Sequence, residues 1–160
     1  MGVTLRTALH PGDIGTIAAM HGILYAREHG FDVRFEAYVA EPLGQLVRRG
    51  ISERERVWLA EDHDQVVGSV AIVMESAECA QLRWFLVAPE ARRAGLGRHL
   101  LEEAISFSRS AGYPRIILWT VSALEGAARL YRAAGFDKTE SMPSRQWGRD
   151  VVEEKYELIL

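Results

Sequence analysis

The chain has 160 residues, 48% of them hydrophobic, and a formal net charge of −3 at neutral pH. That length and apolar content suit one folded domain with a real core and exclude a disordered chain. The acidic balance does not suit a nucleic-acid backbone, and a single cysteine excludes an internal disulfide and points to a reducing compartment.

The start Met-Gly-Val-Thr-Leu-Arg has no apolar signal segment, and no run nears ~18 apolar residues. A cytoplasmic protein with no membrane partner is expected, organised as one domain over residues 1–160. Residues 3–9 alternate as a first strand. His10-Pro11-Gly12-Asp13 reads as a turn with Asp13 as N-cap, followed by a helix over 14–29 that turns Ile17, Met20, Leu24 and Ile23 inward and ends at Gly30. Residues 31–49 carry a second helix, interrupted near Pro42.

Strands follow at 56–61 and 66–74, joined by the polar turn Asp62-His63-Asp64-Gln65, with Gly68 marking a bulge or a close approach. Residues 77–87 form the next strand, ending in the apolar run Leu82-Arg83-Trp84-Phe85-Leu86-Val87. Cys79 belongs to its core pattern. Past Pro89, apolar residues recur at Leu96, Leu100, Leu101, Ala104 and Ile105, one face of a helix that ends at Ala111-Gly112. Residues 115–121 are again apolar, so a crossover should make 82–87 and 115–121 parallel neighbours. A short helix over 124–134 closes at Gly135. A strand over 136–142, a loop over 143–148 and a last strand over 151–160 complete an α/β chain with a mixed sheet of about seven strands and about four helices.

The strand, basic glycine-rich turn and helix from Leu82 to Ser108 build an anion site. The first amides of a helix lack partners and carry partial positive charge. Gly95 and Gly97 let the backbone approach a phosphate closely, and Arg92, Arg93 and Arg98 add full charges. A pyrophosphate is the natural occupant. The P-loop pattern is missing, and Leu100 stands where the dinucleotide fingerprint needs its third small residue. The five histidines show no ligand spacing, so no metal is expected.

Val87, Pro89, Arg92, Gly95 and Gly97, in the order V-x-P then R-x-x-G-x-G, resemble the acyl-CoA motif of the GNAT N-acetyltransferase superfamily. The later segment Leu-Tyr-x-x-x-Gly-Phe, holding Leu130, Tyr131, Gly135 and Phe136, is the second point of similarity. The resemblance implies a GNAT fold and acetyl-CoA as cosubstrate, with transfer to a primary amine of a small molecule in a ternary complex. It assigns the cofactor to Phe85, Leu86, Val87, Arg92, Arg93, Ala94, Gly95, Leu96, Gly97, Arg98, Leu124 and Ala127. It makes Tyr131 the acid that protonates the departing thiolate. Leu124 departs from the family's usual asparagine.

The base for the amine is open among Glu36, His21, Glu75, Glu140 and relayed water, with Glu36 preferred. Residues 24–31, 35–37, 118–120 and 146–152 look like the acetyltransferase half of MarR–GNAT fusion proteins, which adds Tyr25, Glu28 and Trp147 as acceptor-pocket candidates. No winged-helix half is present, so DNA binding does not carry over. A peptide acetyltransferase and a non-catalytic acyl-CoA-binding regulator are the alternatives. The exposed C-terminal β-edges are compatible with a homodimer.

Overall fold

The structure, a computed structural model, describes residues 2–160. The elements among them are β1 (Thr4–Arg6), α1 (Asp13–His29), α2 (Val33–Arg49), β2 (Arg56–Asp62), β3 (Gln65–Ser76), β4 (Cys79–Val87), α3 (Leu96–Ser110), β5 (Arg115–Val121), α4 (Glu125–Ala133), β6 (Asp137–Gln146) and β7 (Arg149–Ile159). The strands pair in one sheet in the order β1-β2-β3-β4-β5-β7-β6, with β4–β5 parallel and every other pair antiparallel.

Two apolar clusters cover the two faces of this sheet. On one, Ile17 of α1 and Phe35, Val39 and Leu43 of α2 pack on Val57, Leu59, Ala71 and Trp84. On the other, Leu100, Leu101 and Ala104 of α3 and Tyr131 of α4 pack on Trp58, Ile72, Leu82, Ile116, Leu118 and Tyr156. Cys79 is buried in its strand, as expected of a core residue. At this size, area removed from water on two faces is the main stabilising contribution. The β2–β3 hairpin turns at His63 and Asp64, both with positive φ, the conformation that matches strand twist in a two-residue turn. Gly68 borders a register shift whose extra residue is Val67, between the Ala60–Gly68 and Glu61–Val66 pairs, and a Cβ on Gly68 would come 3.2 Å from the Leu86 carbonyl oxygen, so Gly68 is the close approach and its neighbour the bulge.

Several local expectations need correction. Gly12, at φ +98°, occupies the cap of α1, and Asp13 lies one position inside. Its carboxylate accepts two bonds from Arg6 and one from the His10 amide, so it ties β1 to the helix start instead of capping. Of the expected inward face of α1, Ile17 is buried and Met20 packs partly buried against the core, but Ala18 and His21 are buried too and Ile23 is half exposed. α2 runs unbroken through Pro42. Its buried stripe Phe35, Val39, Leu43 and Leu46 holds it against the sheet despite the lost backbone bond. β6 extends through Pro143 to Gln146, where a loop is expected from the sequence. It is the outer strand, the place where a sheet tolerates proline.

Candidate functional site

The site begins with a fault in β4. Ala71 pairs with Arg83 and Ser69 with Leu86, so Val70 stands opposite two residues, Trp84 and Phe85. Trp84 takes φ +48°, a conformation that costs a side-chain-bearing residue about 1–3 kcal/mol. The buried Ser69 hydroxyl donates to the Trp84 carbonyl at 2.6 Å and fixes the bulge.

On its other edge β4 meets β5 only at Ala80–Ile116 and Gln81–Ile117. The parallel pairing expected for residues 82–87 therefore stops before them. β5 stays paired with β7 as far as Val121, so a gap opens between β4 and β5.

Beyond Val87 the chain makes a short 3-10 turn, Pro89–Ala91, which the residue pattern did not disclose. Arg93 and Gly95 have φ of +69° and +79°, and α3 starts without a side-chain cap. A Cβ on Gly95 would meet nothing within 4 Å, so the turn is open where the first amides of α3 emerge. Gly97 has a different task. A Cβ there would lie 3.2 Å from Leu130 Cδ1, so this glycine lets α3 and α4 come together.

Arg92 is engaged by the protein itself. It donates to the Val87 carbonyl and, through two nitrogens, to Glu28 of α1. That guanidinium holds the Glu28 carboxyl below the usual carboxylate range. Arg98 pairs with Glu102 along α3. The Leu96 side chain is in the core, and neither Leu96 nor Ala94 lines the cleft.

This cleft, of about 560 Å³, is bordered by Phe85, Leu86, Val87, Arg92, Arg93, Gly95, Gly97 and Arg98 on one side. Leu124, Gly126, Ala127 and Leu130 of the α4 region, with Tyr25, Glu28 and His29 of α1, form the other side. Its volume is that of a ligand site.

A second cavity, of about 120 Å³, lies at the gap between β4 and β5 and shares Tyr25, Phe85, Leu124 and Ala127 with the cleft. Tyr131 reaches it from α4, His21 and Tyr25 from α1, and Phe35 and Tyr38 from α2. Tyr131 is 5% exposed, 5.9 Å from the Phe85 ring centre, and burial pushes its phenol well above the ordinary value. Tyr25 stacks on Phe35 at 4.5 Å, and burial pushes it up to about 12. Trp147, at φ +54° in the β6–β7 turn, closes the cavity against Phe31, Phe35 and Tyr38.

Glu36 is not among the lining residues. It stands on the α2 face turned to α1, so close that a Cβ on Gly22 would meet its Oε1 at 2.5 Å. Helical register turns it away from the buried Phe35 stripe. Glu75 and Glu140 also lie outside both spaces. His21 does line the cavity, as do Thr120, which lies in the 118–120 segment of the resemblance but had no role assigned, and Arg83 and Glu153, which no motif singled out. Among the described residues no group of three or more metal-ligating side chains forms.

The arrangement has room for a long ligand with an anionic end. Open amides precede α3, small residues and glycines line the middle, and the inner end meets the strand gap. The family model described as acetyltransferase (GNAT) family matches residues 24–136. A Schizosaccharomyces pombe protein described as an uncharacterized N-acetyltransferase is 30% identical over 117 residues, covering 72% of each chain. Human N-acetyltransferase 8 is 31% identical over 116 residues, covering 69% of this chain and 51% of that one. The chain thus spans about half the length of that mammalian relative. The Salmonella typhimurium protein yncA, solved with its cofactor acetyl-CoA, superimposes with a TM-score of 0.73 at 20% identity, covering all of this chain and 95% of that one.

Proposed function

The chain belongs to the GNAT acetyltransferase family, an N-acetyltransferase family with acetyl-CoA as cosubstrate, and on that premise we propose that it acetylates the primary amine of a small molecule by direct transfer in a ternary complex. The observation that carries this reading is the parting of β4 from β5 after Gln81, which joins the cleft to the inner cavity through four shared residues. A thioester entering from one side and an amine from the other would meet at that gap.

Bound there, the cosubstrate supplies the acetyl group: the amine nitrogen bonds to the acyl carbon as the C–S bond breaks. The α3 amides beside Gly95 receive the diphosphate, and the α4 stripe of Leu124 and Ala127 holds the pantetheine arm. The backbone around Phe85, Leu86 and Val87, left without a β5 partner, offers donors to the acyl oxygen. Tyr131, kept protonated by burial, gives its proton to the departing sulfur, and the proton that the nitrogen loses on becoming an amide returns to the Tyr131 oxygen, so that amine and thioester give amide and thiol. Glu36, turned away from the cavity, is replaced as acceptor-side candidate by the groups that line it. Tyr25 and Trp147 wall the acceptor side, and Glu28 holds Arg92 at the mouth.

A small cavity of about 120 Å³ walled by aromatic rings favours a compact amine over a peptide strand. The test is release of free thiol from acetyl-CoA with a set of simple primary amines and, in parallel, with peptides bearing N-terminal or lysine amines. Faster release with the simple amines supports the reading, and release only with peptides contradicts it.

A further inference from the structure

His21 is a polar residue placed where the fold should want an apolar one. It lies on the inward stripe of α1, it is 3% exposed, and its ring stacks on Tyr25 with centroids 6.0 Å apart. Nδ1 sits 2.8 Å from the carbonyl oxygen of Ile17, one turn back along the helix. A carbonyl only accepts, so Nδ1 carries the proton and donates it. Nε2, on the far side of the ring, is therefore a bare acceptor. It is buried and has no hydrogen-bond partner, in a residue that lines the cavity at the strand gap. Burial pushes the imidazole down to about 4, so it is neutral at ordinary pH and stays an acceptor.

A buried acceptor left unpaired costs roughly 1–3 kcal/mol. Thr120 Oγ1 is a second buried and unpaired atom on a residue lining the same cavity. Two such atoms, on residues that line one small space, describe the complement of a ligand that brings N–H donors. The outer wall describes the rest of that ligand. Phe31, Phe35, Tyr38 and Trp147 pack with ring centres 4.9–6.0 Å apart around it, Phe35 to Trp147 at 4.9 Å and Tyr38 to Trp147 at 5.2 Å. Among the described residues, the only charged ones lining it are Glu153 and Arg83, which cancel. A polycation would find no net negative field there.

Resting on the acetyltransferase reading above, we propose that His21 Nε2 is the group that takes the N–H of the acceptor nitrogen and points that nitrogen at the strand gap, and that the acceptor is a primary amine with an aromatic or apolar body and no second positive charge.

The experiment is calorimetric titration of 2-phenylethylamine and of spermidine into the protein saturated with coenzyme A. Phenylethylamine should bind at least about tenfold more tightly than spermidine. His21→Phe should weaken phenylethylamine by about tenfold, the worth of one lost hydrogen bond. His21→Gln, which returns an amide oxygen near the place of Nε2, should recover most of the loss. Coenzyme A affinity should stay within about threefold in both variants, which also shows that they are folded; if His21→Phe fails that check, His21→Asn and His21→Gln decide.

Equal phenylethylamine binding by wild type and His21→Phe, no binding by wild type, or tighter binding of spermidine would each overturn the proposal. Wild-type protein that takes up no coenzyme A would instead overturn the acetyltransferase reading of the cleft. The amine titrations on the free protein would then still decide the part played by His21.

Discussion

Arg92 and Glu28 grip each other through two hydrogen bonds, 2.7 and 3.0 Å long, joining the turn before α3 to the last turns of α1 across the cleft mouth. Both side chains are more than a third exposed, so the pair itself is worth only about 0.5 kcal/mol. Its effect is positional. Arg92→Ala should raise the KM for acetyl-CoA about tenfold and Glu28→Ala about threefold, with a double mutant less impaired than their product. The acceptor KM should move less than about threefold, because α1 is also held where Tyr25 stacks on Phe35. Steady-state kinetics of the four proteins in the cycle check this.

Tyr131→Phe removes one oxygen from a buried ring that packs on Phe85, Phe136 and Tyr156. Turnover should fall by about 10²-fold or more, the usual worth of a positioned acid. Coenzyme A binding should be unchanged. Turnover equal to wild type would remove Tyr131 from the chemistry.

Gly95→Ala tests the turn. The new methyl would meet nothing within 4 Å, so its whole effect comes from φ +79°. The cost should be about 1 kcal/mol in chemical denaturation, with a rise in the acetyl-CoA KM as the first amides of α3 shift. Gly97→Ala should act through packing instead, since its methyl would press on Leu130.

Stability should fall with acid in two separate steps. His21 is neutral in both states above its ordinary 6.5, and its folded value is about 4. Between those values the unfolded chain takes a proton that the folded chain refuses, so stability drops as pH falls, by roughly 3 kcal/mol in all. Glu55 is buried against Arg49 and accepts from the amides of Ser52 and Met74, which holds it at about 2. Its contribution is complete above the ordinary 4.5 and lost as pH falls through about 2, again of order 3 kcal/mol. Denaturation across pH should show His21→Phe losing the upper step only and Glu55→Gln the lower step only.

The crossover of β4, α3 and β5 and the turn at Arg92–Gly97 were legible in the sequence because they rest on local rules. An apolar run ends at Pro89, glycines open a helix, and a 3.6-residue stripe follows. Tyr131 was singled out by the resemblance of Leu-Tyr-x-x-x-Gly-Phe to the family's segment, and only the fold shows that it reaches the cavity. What escaped depends on partners far along the chain. The bulge at Trp84 is held by Ser69, fifteen residues earlier. Glu28 and Arg92 are 64 residues apart, and nothing near either says that they meet. His21 reads as one polar residue on a helix of low amphipathicity, and only the fold shows its bare nitrogen in a cavity. Glu36 misled because the proximity of α2 to the acceptor side is a property of the helix, and its outward register is a property of the residue.

The central claim is that a diphosphate rests on the open amides beside Gly95 while the thioester end reaches the gap between β4 and β5. The crystal structure of the complex with coenzyme A tests it most directly. Phosphate oxygens within hydrogen-bonding distance of the amides at the start of α3, with the thiol near Tyr131, are the predicted result. A diphosphate seated anywhere else, or a thiol directed away from the gap, would contradict it.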